Sequence, residues 1–215
     1  KDMKYDFQGY WSMVRKNQPQ AVIFSDKGPD VRWIGNEDGI AGATNWSLMD
    51  TSKVEVGNSD RGYLNSGDPS GSRWVAGECD VSISSDWFYH PDSRLKTVDK
   101  LLNIYEKSVG RNGLLLLNVP PDQRGLLPES YVERLHAFAD TVDEIYNKDL
   151  ALDAKVNPSE VRTPEDCFSG SHLTDTNYST VWAPEQGTVK SSIELSFSDV
   201  IAPRRILIQE NINFG

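Results

Sequence analysis

Leu114-Leu-Leu-Leu-Asn-Val119, closed by Pro120-Pro121, is the stretch on which the fold turns. Unbroken leucines with no alternation are the pattern of a strand covered on both faces. Two prolines end the run because neither can donate to a ladder. Upstream, Val98, Leu101, Leu102, Tyr105 and Val109 recur at helical spacing, with Asp92 and Ser93 as candidate caps and Gly110 just past the end. Downstream, Pro128 opens a second helical pattern whose Val132, Leu135, Ala139, Val142 and Tyr146 make one apolar stripe. A buried strand between amphipathic helices is the repeating unit of an α/β fold with a parallel sheet.

Working outward, Phe7, Trp11 and Val14 predict a helix closed by Pro19. Ala21-Val-Ile-Phe24 predicts a short strand buried on both faces, and Trp74 to Ile83 predicts another. The stretch from Ala43 to Arg73 is long, polar and rich in Gly, Ser and Asp, which predicts a lid or site wall, or else a surface insertion without a role. From about residue 150 the texture changes. Ser192-Ile-Glu-Leu-Ser-Phe197 alternates strictly and Arg205-Ile-Leu-Ile208 reads as strand, running on to Gly215 as a strand entering a turn. Turn residues at Asn157-Pro158, Ser169-Gly170 and Asp175 to Asn177 break up the rest. That texture predicts the start of an antiparallel β-sandwich, with the boundary between Lys148 and Asp153.

Charge and composition narrow the function. The 215 residues carry 22 Lys+Arg against 32 Asp+Glu, a formal net charge of −10, with a pI near 4.8 and a mean hydropathy of −0.51. A nucleic-acid backbone or an anionic membrane surface needs clustered positive charge, so neither is an expected partner. No apolar run approaches the length of a membrane span. Cys79 and Cys167 cannot make a disulfide framework and read as buried free thiols. Without a CxxC, HExxH or Cys/His cluster, neither a metal nor a cofactor is expected. Gly110-Arg-Asn-Gly113 leads into a strand, so it is a turn rather than a phosphate cradle. The chain begins at Lys1 without an apolar leader and is expected to be a piece of something longer.

What remains is carboxylates mixed with tryptophans. One cluster is Gly28-Pro-Asp-Val-Arg-Trp-Ile-Gly-Asn-Glu37, leading to Thr44-Asn-Trp-Ser47. The other is Arg73-Trp-Val-Ala-Gly-Glu-Cys-Asp80, leading to Asp86-Trp-Phe-Tyr-His90. A period of two puts Trp74, Glu78 and Asp80 on one face of a strand and Val75, Cys79, Val81 and Ile83 on the other. Sugar hydrolysis needs such residues: an acid whose pKa an apolar neighbour raises, a flat ring against the C–H side of a pyranose, and polar groups for its hydroxyls. The same residues also serve as core filler and satisfied ion pairs, with Arg73 or Arg94 neutralising Glu78 or Asp80.

At these residues the chain resembles the α-L-fucosidases of glycoside hydrolase family 29. The strings that carry the resemblance are Gln18-Pro-Gln-Ala-Val-Ile-Phe-Ser-Asp26, the two clusters above, and Ser108-Val-Gly-Arg-Asn-Gly-Leu-Leu-Leu-Leu-Asn-Val-Pro-Pro121. They span residues 1 to about 146, with a flavour of the subgroup acting on branched α-1,3/1,4-linked fucose. The resemblance implies the C-terminal half of a (β/α) barrel over 1–149 and part of a galactose-binding-like β-sandwich over 150–215. It implies a retaining mechanism, with a fucosylated oligosaccharide or glycoprotein glycan as partner, in an extracytosolic setting (secretions, apoplast, periplasm or lysosome).

In that family the nucleophile is an Asp in a Trp-x-Asp-Gly strand end, expected just before Lys1. The acid/base is then Glu37, with Glu78 as runner-up. Arg32, Trp33, Trp46, Glu78, Asp80 and Trp87 are the implied substrate-binding residues. Glu37 paired with Arg32 as a plain loop carboxylate is the competing account. The N-terminal half of the same protein would complete the barrel, so the chain alone is expected to be inactive. A glycan-binding module without turnover is the alternative function, and a ligand loop at Asp175 to Trp182 a further one. Asn45-Trp-Ser47 and Asn177-Tyr-Ser179 match the glycosylation sequon.

Overall fold

The computed structural model describes residues 3–57 and 59–209, and it divides into two compact units between Thr141 and Val142. In the first unit, α1 (Phe7–Asn17) starts where Asp6 accepts from Gly9 N at 2.9 Å and stops before Pro19. β1 (Phe24–Ser25), β2 (Val31–Trp33), β3 (Leu48–Met49), α2 (Arg61–Ser66), β4 (Arg73–Trp74) and β5 (Ala76–Ser82) follow. The unit continues with α3 (Val98–Ser108), β6 (Gly113–Asn118) and α4 (Glu129–Tyr146). The main sheet has the order β1-β2-β5-β6, all parallel, and β3 and β4 form a separate antiparallel pair.

Register decides what shares a face. Trp33 lies opposite Glu78 and Glu78 opposite Leu114; Asp80 lies opposite Leu116 and Ser82 opposite Asn118. Cys79, Val81 and Ile83 point the other way and are buried. On that side Ile83, Leu101 and Tyr131 form a cluster, with Leu117, Leu135 and Phe138 packed around it, so α3 and α4 cover it. Each such aliphatic side chain stabilises the layer by about 1.5–3 kcal/mol.

Several expectations are corrected. The run Ala21 to Phe24 is not buried on both faces: only Phe24–Ser25 pairs, at the sheet edge, and Val22 is 70% exposed. The leucine strand alternates in its surroundings, because only one face of β6 is covered: Leu114 and Leu116 are 46% and 49% exposed. The segment from Trp74 to Ile83 is broken, since Arg73 and Trp74 turn aside to pair with β3. The cap of α3 is Thr97, whose hydroxyl accepts from Lys100 N at 3.2 Å, while Ser93 bonds Asp86 in the preceding loop. The left-handed residue before β6 is Asn112 rather than Gly110. Of the two free cysteines only Cys79 is buried, and Cys167 is exposed. The stretch 43–73 is no loose lid: Met49, Val54, Leu64 and Val75 close a core of their own, against which Trp33 and Tyr63 pack.

In the second unit, β7 (Lys155–Pro158) pairs antiparallel with β8 (Ile193–Ser196), placing Val156 opposite Leu195. Short 3-10 turns and loops make up most of the rest. The Trp182 indole N–H donates to Glu160 O at 3.1 Å, which anchors the loop that precedes it. Residues 205–208 carry no strand and stand exposed, while 210–215 lie outside the described residues. Among the described residues no helix is long and apolar enough to cross a membrane.

Candidate active site

The carboxylates gather where β2 and β5 end. Beyond Trp33, Ile34 is buried and donates to Glu78 O at 3.1 Å, which keeps the chain in the sheet for one more residue. The backbone then makes a tight loop bracketed by Gly35 at φ +88° and Gly39 at φ +73°. A Cβ at Gly35 would lie 2.6 Å from Arg61 O, and one at Gly39 2.7 Å from Val81 Cγ1, so only glycine fits either corner. Within the loop Asn36 Oδ1 accepts from Asp38 N at 3.0 Å, while its amide donates to Ile40 O at 2.9 Å. Glu37 is thereby carried at the tip, exposed.

Trp87 reaches Glu37 from the loop after β5, its indole Nε1 donating to Oε2 at 2.9 Å. The indole therefore meets the carboxyl with its N–H, not as an apolar cover. Trp33 donates to Asp80 Oδ1 at 2.8 Å, and the Arg61 guanidinium lies over the Trp33 ring at 5.4 Å. Burial pushes the Asp80 pKa up, the Trp33 hydrogen bond opposes this, and the charge of Glu37 adds to the rise. Burial also raises the pKa of Glu78, as does its neighbour Asp80. Glu78 and Asp80 thus share the sheet face that carries Leu114 and Leu116, and Glu37 acts on Asp80 from the loop beyond β2.

Other expected site residues go elsewhere. Arg32 is a correction: it points to the opposite face of β2 and has no exposed surface. Its Nε donates to Leu64 O at 2.9 Å, and Nη2 donates to Asn45 Oδ1 at 2.7 Å and Trp46 O at 2.8 Å. Its Nη1 donates to Val75 O. Four of its five N–H groups are spent on these acceptors, and with no exposed surface the guanidinium is not presented to a sugar. Trp46 is half-buried, its amide donating to Ser66 O at 2.8 Å and its carbonyl accepting from Arg32. Its neighbour Asn45 donates to Arg111 O and Asn112 O at 3.0 and 3.1 Å, just before β6. Those bonds leave Asn45 4% exposed, so its sequon has no room for a glycan in the folded chain. Trp33 faces the acid group half-buried, with Arg61 over its ring and the 43–73 core packed against it. Arg73 donates to Pro29 O at 3.1 Å and its charge acts on Asp30, not on Glu78 or Asp80.

Residues not singled out from sequence also border the group. Lys96 donates to Ser82 O and Ser84 O at 2.7 and 2.8 Å, and Asn118 donates to Trp87 O at 2.9 Å. The one sequence signal for Asn118 was a lone amide ending four leucines.

Comparison with known proteins gives a concordant picture. The family model described as alpha-L-fucosidase matches residues 10–144, more than half of the chain. Over the whole chain the sequence is 41% identical to alpha-L-fucosidase 1 of Arabidopsis thaliana and spans 43% of that relative. The crystal structure of SpGH29 superposes with a TM-score of 0.75 at 38% identity, over 91% of this chain and 42% of that one. A Ruminococcus gnavus GH29 fucosidase in complex with fucose superposes with a TM-score of 0.69 at 30% identity, over 89% of this chain and 40% of that one. The chain thus spans about two fifths of the length of these relatives.

Proposed function

Since the chain belongs to the alpha-L-fucosidase family, glycoside hydrolase family 29, we propose that it carries the acid/base half of a retaining enzyme that releases terminal α-L-fucose from glycans. The observation that carries this reading is Glu37 on a glycine-bracketed loop, bonded by Trp87 and electrostatically joined to Asp80.

In the first step a carboxylate from the preceding part of the protein attacks the anomeric carbon. Glu37 gives its proton to the glycosidic oxygen as that bond breaks, leaving a fucosyl ester and a free glycan. In the second step Glu37 takes a proton from a water that attacks the ester, which releases fucose and restores both carboxyls. The two groups would stand about 5–5.5 Å apart, as retention requires. Asp80 and Glu78, on the sheet face beside Glu37, suit hydrogen bonding to sugar hydroxyls, since carboxyl oxygens accept from O–H groups.

The finer reading extends to the surroundings. Residues 1–149 form the C-terminal half of a (β/α) barrel and 150–215 the start of a β-sandwich. The exposed Leu114 and Leu116 would be covered by the N-terminal half, without which the chain is inactive. The substrate class is α-1,3/1,4-linked fucose on branched glycans, met outside the cytosol. A glycan on the protein itself belongs at the exposed Asn177 rather than at Asn45.

The test is Glu37→Gln in the full-length protein. Hydrolysis of natural fucosylated glycans should fall by about 10²–10⁴-fold. Aryl fucosides, whose leaving groups need little protonation, should lose less. Azide, which attacks the fucosyl ester without a base, should partly restore turnover. If Glu78→Gln behaves this way and Glu37→Gln does not, the two roles exchange. If neither does, the chain is a glycan-binding module.

A further inference from the structure

The loop that carries Trp87 is fixed by a bracket of side chains from the ends of β5 and β6. Ser82 and Ser84 are both buried, and both hydroxyls donate to the Asp86 carbonyl, at 2.7 and 2.9 Å. The Asn118 amide donates to Ser82 Oγ at 3.2 Å and to the Trp87 carbonyl at 2.9 Å. Lys96 closes the base through the carbonyls of Ser82 and Ser84. Asp86 is held from its side-chain end by Ser85 and Ser93, each donating to Oδ2 at 2.7 Å. Two consecutive residues of a surface loop are thus gripped from several directions. The free end of that assembly is the Trp87 indole N–H on Glu37 Oε2.

We infer that Trp87 and Asn118 are positioning residues for proton transfer: Asn118 sets the Trp87 backbone, and the indole N–H fixes the Glu37 carboxyl. A carboxyl has two oxygens, and a donor on Oε2 makes that oxygen the acceptor. The transferable proton then sits on Oε1, with the plane of the group set by the indole. An unanchored carboxyl at the tip of an exposed loop would rotate, and a misplaced donor loses rate without losing substrate affinity. This reassigns Trp87 from a sugar platform to a guide for Glu37. It rests on the reading of Glu37 as acid/base.

The test compares Trp87→Phe, which keeps an aromatic ring and removes the N–H, with Asn118→Ala and Glu37→Gln, all in the full-length protein. Each is assayed on an unactivated fucosyl oligosaccharide and on a nitrophenyl fucoside. Trp87→Phe should lower kcat on the oligosaccharide by about tenfold, with KM nearly unchanged and the nitrophenyl reaction changed less than about threefold. Asn118→Ala should show the same selectivity. In a Glu37→Gln background Trp87→Phe should cost nothing more, because the group it guides is gone. Should Asn118→Ala fail to fold, Trp87→Phe alone decides.

Equal losses on both substrates, a rise confined to KM, or full additivity with Glu37→Gln would each overturn the positioning role. If Glu37→Gln is selective for unactivated leaving groups and Trp87→Phe is not, this inference falls while the acid/base assignment stands. If Glu37→Gln itself is unselective, the assignment falls and the inference with it.

Discussion

Trp33 and Asp80 stand on neighbouring strands of one sheet face, joined by the indole N–H that donates to Asp80 Oδ1 at 2.8 Å. The bond is a product of register. Trp33 pairs with Glu78, and Asp80 lies two residues further along the same face, within reach of a long side chain on the diagonal. A half-buried carboxylate thereby gains one donor, and its Glu78 neighbour gains none from Trp33. Both carboxyls are still held above their ordinary pKa values, because burial outweighs that single bond at Asp80.

These two shifts have one sign, and they predict how stability follows pH. A carboxyl whose pKa is higher in the folded chain than in the unfolded one binds more protons when folded. Its cost to folding is absent below the ordinary carboxylate range, where both states are protonated. The cost grows as pH rises through that range and is complete above the raised value. Glu78→Gln removes the burial cost and the repulsion with Asp80 together. Its thermal midpoint should exceed that of the parent by about 1–3 °C at pH 7, and the difference should vanish by about pH 3. A gain that persists unchanged in acid would show that the charge on Glu78 is not its origin.

Gly39 is the second corner of the loop that carries Glu37, and its left-handed φ of +73° leaves no room for a side chain between Val81 and Ile104. Gly39→Ala should destabilise by about 1–3 kcal/mol through strain and overpacking. If the loop gives way instead of the core, Glu37 moves. Turnover of unactivated fucosides should then fall more steeply than stability accounts for. Calorimetry and steady-state kinetics on the same preparation separate the two effects.

Much of the first unit is legible in the sequence. The helical spacing of Val98 to Val109 and of Val132 to Tyr146 gave the helices α3 and α4, but not their packed faces: those centre on Leu101, Ile104 and Ser108 and on Tyr131, Leu135 and Phe138, while Val109, Ala139 and Tyr146 are exposed. Glu78 and Asp80 could be assigned one face from the period of two alone. What failed did so for definable reasons. Four leucines read as doubly buried, yet β6 is covered on one face only, and no local pattern distinguishes the two cases. Arg32 sits one residue from a site tryptophan and looks like a ligand, but alternation turns it to the other face, where loop carbonyls converge. Asn118 was visible as a letter, but its role depends on a loop contributed by residues 86 and 87, which sequence spacing does not bring together.

Arg32 is a structural residue, and its replacement separates folding from catalysis. Desolvation lowers its pKa to about 10, so the guanidinium remains charged at neutral pH among Leu64, Val75 and Trp46 carbonyls and the Asn45 side chain. Removing it leaves these acceptors buried without a donor. Arg32→Ala should cost about 3–5 kcal/mol. Arg32→Lys should recover only part of this, since one ammonium cannot reach acceptors spread around a planar fork. Denaturant unfolding of the full-length variants measures the loss. At low temperature, where Arg32→Lys stays folded, its KM for fucosides and its preference between unactivated and aryl substrates should match the parent. A stable Arg32→Lys protein with a raised KM would return Arg32 to the sugar side of the sheet.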